Sequence, residues 1–190
     1  MENKTDSRRV KMTKKLLKES LIELMKTTPI HSITIKDICD GADVNRSTFY
    51  RHYETQFALY DDIINDISAD IEAIITNERA ENLDILLFLT KILEYIEKNR
   101  ETFLVVLSDK SSLGMGETFN RITGKFLPAE GTTELGAYIA QFIAAGMTSV
   151  LWTWLNKPVR RSAKEVARVI YALMRHGLSG AIDFTSGSRG

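Results

Sequence analysis

Cys39 is the one thiol in this 190-residue chain. No disulfide can close within the chain, so an oxidised small scaffold is excluded and a reducing cytoplasm is the expected setting. Only three prolines and eleven glycines interrupt it, too few for a collagen-like or low-complexity chain, and no internal repeat is visible. The formal net charge is zero, which excludes a wholly basic nucleic-acid coat. The start, MENKTDSRRVK, has no apolar run of the kind a secretory signal carries. The usual catalytic and metal patterns are missing too: no Gly-rich phosphate loop, no HExxH, no CxxC and no nucleophile elbow. His31, His52 and His176 lie far apart in sequence, and the carboxylates fall on polar helix faces. An enzyme is therefore the weakest expectation, and no cofactor or metal is expected.

The composition is that of an ordinary globular protein, long enough to bury a core without staples. Its charge is unevenly spread. Residues 1–53 hold eleven Lys and Arg against seven Asp and Glu, while residues 54–190 hold fourteen against eighteen. A basic head on an acidic body is the pattern expected if only the head meets phosphate.

Within that head, residues 34–53 read TIKDICDGADVNRSTFYRHY. Ile35, Ile38, Cys39 and Ala42 fall at i, i+3, i+4 and i+7, one face of a helix. Thr34 suits its N-cap, with Asp37 as capping-box partner. Cys39 on the inward face reads as a small core residue, with a redox sensor as the alternative. Asp43 and Val44 make a turn, and Asn45 suits the cap of a second helix that turns Phe49 and Tyr53 inward. The outward side shows Arg46, Ser47, Thr48, Tyr50, Arg51 and His52: hydrogen-bond donors on a helix-turn-helix rather than a catalytic set.

This stretch resembles the DNA-binding motif of TetR-family transcriptional regulators, and the segment YIAQFIAAGMTSVLWTWLNKP is similar to the penultimate helix of one bacterial subfamily. The resemblance implies base contacts from Lys36, Arg46, Ser47 and Arg51. It implies phosphate contacts from Thr34, Thr48, Tyr50, His52 and Gln56, and from Arg8, Arg9 and Lys11 near the start. Val44, Phe49 and Tyr53 match core positions. Two positions depart from the family pattern: Asp43 stands where Gly is usual, and Gln56 where a Lys commonly meets a phosphate. The resemblance also implies a homodimer paired through the last two helices on a palindromic double-stranded DNA operator, a repressor's role, and a cavity for a small-molecule effector. Phe88, Tyr95, Phe103 and Phe126 are candidates to line that cavity. Tyr138, Phe142, Met147 and Trp152 join them, each with plain core packing as the alternative.

The expected fold is all-α, with about nine helices. Residues 1–54 would form the helix-turn-helix domain, 55–184 the effector-binding and dimerisation domain, and 185–190 a flexible tail, with the long helix after Glu54 belonging to both halves. The pattern predicts helices over 9–27, 56–77, 83–99, 100–107, 113–127, 134–156 and 162–176, the last capped by Gly177. Residues 83–99 are apolar almost all round and predict a wholly buried helix. Several of the lysines 11, 14, 15 and 18, and the acids Asp61, Asp62, Asp66, Asp70 and Glu72, read as solvated faces. Leu135–Leu155 carries no formal charge, so a membrane span is weighed against it, but its hydroxyls, Gln141 and small residues favour helix packing. A helical scaffold without DNA binding stays open as the second reading.

Overall fold

Residues 4–78, 84–108 and 134–186 are described by the computed structural model. In them the helical periodicity becomes eight α-helices: α1 (Lys4–Met25), α2 (Ile35–Ala42), α3 (Arg46–Tyr50), α4 (Gln56–Glu78), α5 (Ile85–Lys98), α6 (Arg100–Ser108), α7 (Glu134–Asn156) and α8 (Ala163–Ser186). One 3-10 turn, Ile30–Ser32, links α1 to α2. The fold is all-α, and no strand occurs among the described residues. The helix expected over 113–127 and the end of the chain from 187 lie outside them. No helix of the described residues is long and apolar enough to cross a membrane.

The chain divides into two compact units, Met1–Ser68 and Ala69–Gly190. The division falls inside α4, further along than the expected joint after Glu54. The first turns of α4 are tied to α1 by Lys14, Lys18, Asp62 and Asp66, so they belong with the first unit.

In the first unit, α1 begins at Lys4 rather than near Arg9 and ends at Met25, where amides 27 and 28 both return to the Leu24 carbonyl. Pro29 then opens the 3-10 turn, since its ring already holds the required φ. Leu17, Leu21, Ile38, Phe49 and Leu59 are fully buried and form the core. α1 packs on α2 with the Ser20 side chain against Gly41. A Cβ on Gly41 would lie 2.5 Å from Ser20 Oγ. That hydroxyl is itself buried and donates to the Ile38 carbonyl at 2.8 Å, so glycine fits where alanine does not.

In the second unit α5 packs on α8 and α6 on α7. Asp84 caps α5 by accepting from the amides of Leu86 and Leu87. The expectation that this helix is buried all round needs correction. Phe88, Leu89, Leu93 and Ile96 are buried, but Ile85 and Leu87 are exposed. With spacings of three and four, one face is enough to serve the core, and the first turn of α5 lies clear of it. Arg100 Nε donates to the Leu155 carbonyl at 2.9 Å, and Trp154 Nε1 to the Arg161 carbonyl at 2.7 Å, which fastens the end of α7. Ser162 and Glu165 form a reciprocal capping box at the start of α8. Ala163, Ala167 and Ile170 give that helix its buried stripe. The helix continues past Gly177 to Ser186, so the glycine is not its cap. A helical glycine costs only about 1 kcal/mol against alanine, which neighbouring turns can carry.

Candidate nucleic-acid interface

The helix-turn-helix is set by local rules that the sequence states directly. Thr34 Oγ1 accepts from the Asp37 amide at 3.2 Å, while Asp37 Oδ2 accepts from the Thr34 amide at 3.0 Å. This capping box satisfies two orphan donors at the start of α2. The hydrogen bonds from Thr34 hold the Asp37 carboxyl below its ordinary value. Asp43 ends α2 in the left-handed region, at φ 51° and ψ 44°, with the Val44 amide bonded to the Cys39 carbonyl at 3.0 Å. Asp tolerates this conformation better than most residues with a Cβ, so the turn forms without the usual Gly. Asn45 Oδ1 then accepts from the Ser47 amide at 3.0 Å and caps α3.

The second motif helix, α3, has only five residues. Phe49 on its inner side is fully buried, and Tyr53 just beyond it is buried too, with ring centroids 5.8 Å apart. The outer side carries Arg46 and Ser47, both exposed, and Tyr50, which is 59% exposed and stands edge-on to Phe49, and the exposed Arg51 follows as the C-cap. Lys36 on α2 is exposed as well. Thr34 is exposed, whereas Thr48, His52 and Gln56 are half-buried. Arg8, Arg9 and Lys11 are exposed on α1. Gln56 opens α4, whose first turn is capped by Thr55 Oγ1 accepting from the Ala58 amide at 3.2 Å. A helix start of this kind presents amides that suit an anion even without a lysine.

Some hydroxyls in this set are already engaged. Thr34 Oγ1 donates to Asp37 at 2.6 Å, and Ser47 Oγ lies 3.1 Å from Asn45 Oδ1. Both bonds are at the surface, where a phosphate or a base edge exchanges for them at little cost. Burial, and then the charges of Lys14 and Arg51, push the His52 imidazole below its ordinary value. That favours the uncharged ring at neutral pH, which offers an N–H donor rather than a cation. Burial raises the Cys39 thiol, which is 3% exposed, so it packs as a small apolar residue rather than a reactive thiolate.

Lys11 and Lys15 keep the expected solvated face of α1, while Lys14 and Lys18 do not. Lys18 is largely covered and pairs with Asp62 at 3.0 Å and Asp66 at 2.5 Å, while Lys14 approaches Asp62 at 3.4 Å. The same Asp62 oxygen accepts from Tyr53 Oη at 2.6 Å. Burial opposes the charge on Asp62, but the bonds from Tyr53 and Lys18 and the two lysine charges outweigh it and hold the carboxyl below its ordinary value. Burial, then this hydrogen bond, pushes the Tyr53 phenol far up, so it stays a donor. The sequence held a signal for this cluster: Lys14 and Lys18 on one helix and Asp62 and Asp66 on another repeat the same four-residue step.

Among the described residues, two of the effector-cavity candidates, Tyr95 and Phe103, are seen to meet. Phe88 and Phe103 are buried. Tyr95 is half-buried, donates to Asp70 at 2.9 Å and stands edge-on to Phe103. Met147 is half-buried. Phe142 is 81% exposed and Trp152 is also exposed, so neither lines an interior cavity of one chain, a correction to the expectation that they would. Helical spacing shows which residues share a face but not whether that face is inner or outer. Phe126 and the side chain of Tyr138 lie outside the described residues. An open cleft of about 640 Å³ lies instead around the end of α7 and the start of α8, lined by Trp154, Lys157, Arg160 and Val166 among others, and includes none of those candidates. Among the described residues no His, Cys, Asp and Glu group is placed to hold a metal ion.

Comparison with known proteins agrees with this architecture. Residues 84–176 match a family model described as Transcriptional regulator C-terminal region, TetR_C_8. An uncharacterized HTH-type transcriptional regulator of Bacillus subtilis (strain 168), YxbF, is 39% identical over 51 residues, which is 27% of this chain. The chain spans 13% of the length of that curated relative. A TetR transcriptional regulator from Streptococcus agalactiae 2603V superposes with a TM-score of 0.65 at 20% identity, covering 87% of this chain and 95% of that one. The fatty acid degradation regulator FadR from Bacillus halodurans superposes at 0.61 with 13% identity, covering 87% and 96%. The dihydroxyacetone kinase operon activator DhaS does so at 0.51 with 18% identity, covering 85% and 93%. At these identities the superpositions speak for the fold, and the matched C-terminal region and the helix-turn-helix relative speak for the lineage. The matched C-terminal region, the helix-turn-helix relative and the superposed regulator together support a TetR-family transcriptional regulator.

Proposed function

We propose that the chain is a sequence-specific DNA-binding repressor that acts as a homodimer on a palindromic operator and answers to a small-molecule effector. The observation that carries the DNA-reading part is α3: a short, N-capped helix pinned by Phe49 while Arg46, Ser47 and the C-cap Arg51 are exposed to solvent. A helix fits the major groove, and an arginine there can donate two hydrogen bonds to guanine. Lys36, Arg46, Ser47 and Arg51 are assigned to base edges. Thr34, Thr48, Tyr50, His52 and Gln56 are assigned to phosphates, with Arg8, Arg9 and Lys11 beside them. Residues 1–54 are the reading part and 55–184 the regulatory part.

Support for the homodimer comes from α7 and α8. Phe142, Trp152, Leu173 and Met174 are large, apolar and exposed in one copy, as a face meant for a second copy would be. Two copies would set their α3 helices about 34–36 Å apart, in successive major grooves. Repression follows most simply from occupancy, because a bound dimer denies polymerase the same stretch of duplex. An effector would act by favouring one of two dimer states, limited by its difference in affinity for them.

Selecting bound duplexes from a random pool, at two salt concentrations, tests the reading. A shared palindromic sequence and a steep loss of affinity with salt are the expected outcome; a helical scaffold or an enzyme would enrich no sequence. Arg46→Ala should relax preference at one base pair and lose about 1–3 kcal/mol on the selected duplex. An unchanged base preference in that variant would remove Arg46 from the contacts.

A further inference from the structure

The shortness of α3 raises the question of what fixes its angle. Five residues make less than two turns, and one buried ring such as Phe49 fills space without fixing direction. The directional contact sits just past the helix. The amides of His52 and Tyr53 both return to the Phe49 carbonyl at 2.9 Å, so the Tyr53 backbone continues the helical turn. From there Tyr53 Oη reaches Asp62 Oδ2 at 2.6 Å. The same oxygen is 3.0 Å from Lys18 Nζ and 3.4 Å from Lys14 Nζ. Lys18 Nζ also donates to the Asp62 carbonyl at 3.3 Å and to Asp66, and Lys14 Nζ lies 5.1 Å from the centre of the Tyr53 ring. Three elements, α1, the end of α3 and α4, therefore meet at one carboxylate oxygen.

We infer that Asp62 is a positioning residue for DNA reading: held by Lys18, its carboxylate grips Tyr53 and so sets the angle at which α3 presents Arg46, Ser47 and Arg51. The inference rests on the regulator function proposed above and names a residue that touches no DNA. Geometry shows why the grip matters. Tyr53 and Arg46 lie about 10 Å apart along a helical rise, so a tilt of about 10° moves the arginine by about 2 Å. That is more than the spread of hydrogen-bond lengths, and two-point contacts to a base edge would be lost. Phosphate contacts by long or flexible side chains tolerate such a shift, and they carry no sequence preference. Loss of the grip should therefore cost selectivity more than overall attraction.

The test uses the full chain and a duplex selected from a random pool, with a random duplex at the same salt as reference. Tyr53→Phe removes one hydroxyl and keeps the buried ring. Asp62→Asn keeps the shape and removes the charge that holds Lys18. Asp61→Asn changes the same charge at the exposed neighbour and is the control. The expected result is a roughly tenfold loss of affinity for the selected duplex in both Tyr53→Phe and Asp62→Asn, with random-duplex affinity within about twofold. The double variant should lose no more than the worse single one, because the two residues act as one contact. Melting curves establish that each variant is folded at the assay temperature; if Asp62→Asn is not, Tyr53→Phe carries the test alone. Wild-type selectivity in the folded variants, or an equal loss on both duplexes, overturns the inference while leaving the regulator reading intact. A wild-type chain that selects no duplex overturns that reading and this inference together.

Discussion

The two compact units are finished in different ways. The first is closed by directional polar devices: the Thr34–Asp37 capping box, the Ser20 bond to Ile38, and the Asp62 junction. Among its described residues the exposed large apolar ones are Met12 and Tyr50, and Tyr50 lies in the proposed DNA surface. The second has directional fastenings too, at Arg100, Trp154 and Ser162, yet leaves Phe142, Trp152, Val159, Leu173 and Met174 open to water. A polar device completes a surface within one chain. A row of exposed apolar side chains is completed only from outside. The contrast is in keeping with the different partners proposed above, a polyanion for the first unit and an apolar surface for the second.

Three substitutions break or sharpen this contrast. The largest effect belongs to Phe49→Ala, which empties the core of the first unit and should cost about 3–5 kcal/mol. Thermal unfolding followed by circular dichroism checks it; a melting curve unchanged from wild type would show that the polar devices alone hold the unit. Next is Phe142→Glu on the open face of α7. If that face is covered by a second copy, the charge should weaken the dimer by about 2 kcal/mol or more, roughly thirtyfold in its dissociation constant. Sedimentation read against concentration decides it, and an unmoved monomer–dimer balance would place the covering surface elsewhere. The smallest effect is that of Ser162→Ala, which removes one half of the capping box of α8 and should cost about 1 kcal/mol. Urea unfolding measures this, and a stability equal to wild type would mean that Glu165 or solvent caps the helix alone.

What could be read in the sequence depended on range. The caps at Thr34 and Asn45 and the left-handed turn at Asp43 follow rules spanning two to four residues, and the structure has them where those rules put them. The bounds of α7, Glu134–Asn156, also followed from an uninterrupted helical pattern. The end of α8 did not. A glycine is a stop signal only when no further packing or periodicity overrides it, and the helix runs through Gly177. The junction at Asp62 joins residues up to 48 apart, and each member alone looks like a solvated charge. Only the paired four-residue spacings on α1 and α4 distinguished them. The outward placement of Ile85, Leu87 and Phe142 was beyond periodicity for the same reason: a helical wheel fixes relative angles, and tertiary packing fixes which of them point inward.

Gly41 carries a consequence for how this protein can vary. Its Cα lies in the open by surface measure, yet a methyl group there would press on the Ser20 hydroxyl. Position 41 is thus a site where exposure and mutability part company. Its history is bound to that of position 20: a side chain at 41 becomes admissible once Ser20 has given up its hydroxyl, so a change at 41 should follow one at 20.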